Sequence, residues 1–134
     1  MKNLFTMLAI AVLALAILSF TDGENPTFIQ GENGMGLFEI PTDVQIIIDN
    51  SCYGCHNSES SSTKGKMKLK FDKMPDMKTG KLIGKLSKIS KSITKGKMPP
   101  EKTVKKHPEM ALSSEDSKVI ISWADGLVQK LSGE

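Results

Sequence analysis

The chain of 134 residues contains no arginine, two cysteines, one tryptophan and one tyrosine. Without arginine or an aromatic stacking surface there is little to grip a nucleic acid. Two cysteines cannot build a disulfide framework. Of the five phenylalanines, Phe5 and Phe20 fall in the first 20 residues, so the remainder has few large apolar side chains for a core. No Ser/His/Asp set, P-loop or Gly-rich dinucleotide turn is present, which removes the usual grounds for a hydrolase or transferase.

What the chain does have is concentrated. Its only two cysteines lie in Cys52-Tyr53-Gly54-Cys55-His56, a C-x-x-C-H motif with the spacing of a c-type haem attachment site. Two thiols three positions apart at a helix end can each add to one vinyl group of the same porphyrin, and the next residue, His56, supplies the proximal imidazole. Three other readings share the residues. A thioredoxin-like pair needs a βαβ pattern, and none is evident. A zinc site needs four ligands, which Cys52, Cys55, His56 and His107 could supply by count, though not at finger spacing. A disulfide would leave His56 without a role.

The compartment signal is independent of the motif. Lys2 precedes an almost unbroken apolar run over residues 4–20, followed by Thr21-Asp22-Gly23-Glu24. Residues 1–23 therefore read as a signal peptide or an N-terminal membrane anchor, near the lower length limit for a span and without a clean A-x-A site. No cysteine follows the run, which excludes a lipoprotein anchor. Either outcome makes the protein periplasmic or exported, soluble or membrane-associated through residues 4–20.

Residues 24–40 contain Gly31, Asn33, Gly34 and Gly36 and read as a flexible linker. Residues 41–134 then form one small domain. Pro41-Thr42-Asp43 opens a helix with Val44, Ile47 and Ile48 on one face, running into the motif. Ser58 to Thr63 read as loop, and Met67, Leu69 and Phe71 alternate with lysines as if extended. Leu82, Ile83, Leu86, Ile89 and Ile93 keep a helical stripe until Gly96, and Pro99-Pro100 forbids continuation. In the last helix Ser113 and Asp116 form a capping box, and Val119, Ile120, Trp123, Leu127 and Leu131 line one side. The expected fold class is all-α.

An iron bound by His56 needs a ligand on its other face. Met98 is the first candidate, because Pro99 and Pro100 restrict the loop that presents it. Met110, Met74 and His107 are the alternatives. A c-type haem held by His56 and Met98 is six-coordinate and suits electron transfer rather than enzymatic chemistry. If Met98 were not bound, a five-coordinate gas or redox sensor would follow; without haem, a dithiol or metal-binding protein.

Over about residues 40–130 the chain resembles the short monohaem cytochromes c of the haem-binding domain family, relatives of the class I cytochrome c fold. The resemblance is carried by Ile48 through Asn57 around the motif, by Gly96-Lys97-Met98-Pro99-Pro100, and by His107-Pro108-Glu109 through Leu112-Ser113-Ser114-Glu115-Asp116 to Ser122-Trp123-Ala124. It implies a cytochrome c-like domain wrapped around one haem. By the same likeness Cys52 and Cys55 bear the thioethers, His56 is proximal and Met98 distal. Where such proteins often carry an aromatic, Pro-rich stretch, Asn57 to Thr63 are Ser-rich.

Charge is uneven as well. From Lys64 to Lys106 there are 15 lysines against three acids, a local balance of +12 within a chain of net charge +3. The expectation is a positive rim that steers an acidic redox partner, with a plain solvated helix face as the competing reading.

Overall fold

The computed structural model describes residues 38–133. The signal or anchor segment 1–23 and residues 24–37 of the linker lie outside the described residues. Helix α1 (Thr42–Ile48) begins after Pro41 and buries Val44 and Ile48. It runs without a break into a π-helical turn, Asp49–Tyr53, which carries Cys52. Such a widened turn is uncommon and is frequently found at functional sites.

The two long helices behave as their periodicity predicts. α3 spans Thr79–Thr94 and buries Leu82, Leu86, Ile89 and Ile93. α5 spans Ser114–Ser132, with Ser113 Oγ accepting from the Asp116 amide at 3.0 Å and the Asp116 carboxylate accepting from the Ser113 amide at 3.2 Å. These helices pack on each other and α1 packs against α5. Ile48, Met74, Leu82, Leu86 and Ile120 are the largest fully buried side chains at their junction. Each such aliphatic side chain contributes about 1.5–3 kcal/mol relative to leaving it in water.

Two short helices depart from the expectation. Residues read as loop and extended segment contain α2 (Thr63–Lys68), started by the Ser62 hydroxyl, which accepts from the Gly65 amide. The chain becomes extended only at Leu69, before a 3₁₀ turn at Phe71–Lys73. α4 (Glu101–Lys106) follows Pro100, and a 3₁₀ turn at Pro108–Met110 leads into α5. Neither α2 nor α4 buries a residue fully, so neither could display the apolar stripe that marks a helix in sequence. No strand occurs among the described residues, and the domain is all-α.

The packed domain starts earlier than Pro41. Phe38 is buried and meets Trp123 edge-on with ring centroids 6.3 Å apart, while Trp123 Nε1 donates to the Glu39 carbonyl at 2.8 Å. Phe38 thus belongs to the core, with Ile40 packed against it, and the ordered packing begins within the stretch read as linker.

Candidate functional site

The motif closes a tight turn at the end of the π-helical segment. The Cys55 and His56 amides both donate to the Cys52 carbonyl at 3.1 Å. This coiling aims both cysteine side chains and the imidazole into one cavity of about 700 Å³. Its volume lies within the range of small-molecule and cofactor pockets. Met98 lines the same cavity, on the loop after α3, and is 38% exposed. Phe71, Ile89, Ile93 and Leu112 supply apolar wall.

His56 is held by its far nitrogen. Nδ1 lies 3.0 Å from the Gly65 carbonyl oxygen. A carbonyl can only accept, so Nδ1 carries the proton and Nε2 keeps its lone pair for a metal. Gly65 reaches this position because it has no side chain: a Cβ there would stand 2.2 Å from the Cys55 carbonyl oxygen. The Ser-rich segment holds the turn from outside. Ser60 Oγ donates to the Gly54 carbonyl at 2.9 Å and accepts from the Ser62 amide at 3.0 Å, and the Ser58 amide donates to Asp72 Oδ1 at 3.0 Å.

Both cysteines are free thiols. Burial, and then the neighbouring Cys55, push the Cys52 thiol up to about 11, so it stays protonated at neutral pH.

Of the alternative ligand candidates, Met110 shares the cavity with Met98, and Met74 and His107 do not. Met110 also lines the cavity, with its Cε about 4.0 Å from where a Cβ on Gly54 would sit. Its 3₁₀ turn is tied to the motif by Asn50 Nδ2, which donates to the Glu109 carbonyl at 2.9 Å. Met74 is fully buried in the helix core and does not line the cavity. His107 points to solvent with Nδ1 3.2 Å from Glu109 Oε1. The fourth ligand that a zinc site would need is therefore not brought to Cys52, Cys55 and His56, and no cluster of three or more His, Cys, Asp or Glu able to hold a metal occurs among the described residues.

Sequence reasoning missed Gly65, the cavity-lining Met67, and the lysines Lys68, Lys85, Lys88 and Lys97 that share the wall. For Lys85 and Lys88 a signal existed. They stand on the same side of α3 as Ile89 and Ile93, at helical spacing.

The residues suit a haem: an apolar cavity, two thiols and a thioether on its lining, and an imidazole whose tautomer leaves Nε2 available. Comparison with known sequences agrees. No curated protein and no solved structure matches the chain. The haem-binding domain family, however, matches over residues 60–126, from the segment that supports the motif through α3 and the Met98 loop into α5. The chain belongs to the haem-binding domain family, and it is a haem protein.

Proposed function

We propose that the protein is an exported monohaem c-type cytochrome that passes single electrons between redox partners and is not an enzyme. Bound haem supplies an iron that alternates between ferric and ferrous states. Cys52 and Cys55 would hold the haem as thioethers, each thiol adding its S–H across one vinyl double bond, sulfur to one carbon and hydrogen to the other. No oxidant is needed. These links retain one cofactor per chain in a domain too small to enclose it otherwise. His56 would hold the iron through Nε2, with its ring orientation fixed by the Gly65 carbonyl. Met98 offers a thioether, a ligand that favours the reduced state. Were His56 and Met98 both to bind the iron, no position would be left open for a substrate.

The observation that carries this reading is that Cys52, Cys55, His56 and Met98, 46 positions apart at the extremes, line one cavity. Export rests on the apolar run at residues 4–20. Fractionation tests the segment: release from the periplasm by osmotic shock marks a cleaved signal, and retention in the membrane pellet marks an anchor. An acidic redox partner suits the lysine-rich stretch from Lys64 to Lys106, and its association rate should fall as salt rises.

The test of ligation is spectroscopic, on protein exported from a host able to attach haem c. Sharp reduced bands unaffected by carbon monoxide, with a ferric Met-to-iron band near the red edge of the visible, are expected. Prompt carbon monoxide binding would replace this reading with a five-coordinate sensor.

A further inference from the structure

The cavity wall is electrically one-sided. Lys68, Lys85, Lys88 and Lys97 line it, together with Cys52, Cys55 and His56, and no carboxylate does. The described ion pairs involve Lys105, Lys118 and His107, so none of the four has an acid partner among the described residues. Lys68, Lys88 and Lys97 keep an exposed face and Lys85 is half-buried, so together they set a positive field over this wall that favours an occupant carrying negative charge there.

The lysines are also ordered along the cavity. On α3 the lining residues are Lys85, Lys88, Ile89, Ser92 and Ile93, so two lysines precede the apolar part, while Lys97 stands apart from them past the helix end, next to Met98. Lys85 is half-buried and donates from Nζ to the Lys68 carbonyl, which fixes the end of α2 beside the same part of α3. Burial, with Lys88, Lys81 and Lys68 close by, holds the Lys85 ammonium below its ordinary range. Such a group gains from any anion placed next to it.

Haem is asymmetric in the same way, with an apolar body and its propionate carboxylates together on one edge. We propose that Lys85 and Lys88, with Lys68 beside them, form the carboxylate-binding end of the cavity and pair with the haem propionates. This rests on the haem reading above. It divides the lysines by role: Lys85 and Lys88 serve the cofactor, while Lys81 and Lys91, exposed on α3, and Lys95 just beyond its end, all outside the cavity lining, remain for a partner.

The test is the midpoint potential of the full-length, haem-loaded protein, followed from neutral pH down through the carboxylate range. Lysines beside a propionate favour its ionised form, and protonation of that propionate raises the potential. In Lys85→Gln/Lys88→Gln the rise should begin about one pH unit or more higher than in the unsubstituted protein. Lys88→Gln alone, which leaves the Lys85 to Lys68 contact in place, should move it the same way by less. Lys105→Gln, at a lysine paired with Glu101 outside the cavity, should not move it. Haem-loaded Lys88→Gln and double variants with an unmoved profile overturn the propionate site alone. If the unsubstituted protein gains no haem, the reading beneath the site fails and the site fails with it.

Discussion

The Gly65 carbonyl accepts the Nδ1 hydrogen of His56 at 3.0 Å, and Gly65 sits so close to the motif that a Cβ would stand 2.2 Å from the Cys55 carbonyl oxygen. One glycine therefore orients the imidazole and seals the helix α2 against the C-x-x-C-H turn. The orientation of His56 depends on a residue nine positions beyond it.

Gly65→Ala should separate these effects from the covalent chemistry. The added methyl meets backbone, which cannot swing aside, so the chain must move at a cost of about 2–3 kcal/mol. Denaturant unfolding of the haem-loaded variant measures the loss. A change below a few tenths of a kcal/mol would mean that α2 does not pack on the motif as described.

Met98 and Met110 both line the cavity, and their truncations should differ. Met98→Ala should abolish the ferric Met-to-iron band, lower the potential and open the iron to carbon monoxide. Met110→Ala should leave all three unchanged. The reverse pattern would move the distal ligand to Met110.

Met74 answers to another rule. Its side chain is fully buried among the helices, outside the cavity, so Met74→Ala should cost about 2–5 kcal/mol of stability while the spectra stay as they were. Equilibrium unfolding and a visible spectrum of the same sample check both halves. An altered Met-to-iron band would return Met74 to the list of ligands.

The domain's first contacts come from Phe38, which is 6% exposed and packs on Trp123. Phe38→Ala should destabilise by about 3 kcal/mol or more. A neutral result, read by thermal or denaturant unfolding, would put the start of the domain back at Pro41.

Long elements were legible because their physics is local or periodic. α3 announces itself by an apolar stripe ended by Gly96, and α5 by the Ser113–Asp116 capping box. α2 and α4 were not legible, since six residues that bury nothing fully leave no periodic trace. α2 depends on the Ser62 cap and on contact between Gly65 and a carbonyl ten positions back. The motif singled out Cys52, Cys55 and His56 by spacing alone, and the structure brings the three to one cavity. It could not rank the methionines. Met74, Met98 and Met110 each sit beside a turn in sequence, and only the packing sends Met74 into the core and the other two to the cavity.

The most direct test of the account is the intact mass of the full chain exported from a host that attaches haem c, taken under denaturing conditions. A gain of one haem, lost when Cys52 and Cys55 are both replaced by alanine, is the predicted result. A mass equal to the polypeptide alone, with two thiols still open to alkylation, would contradict it.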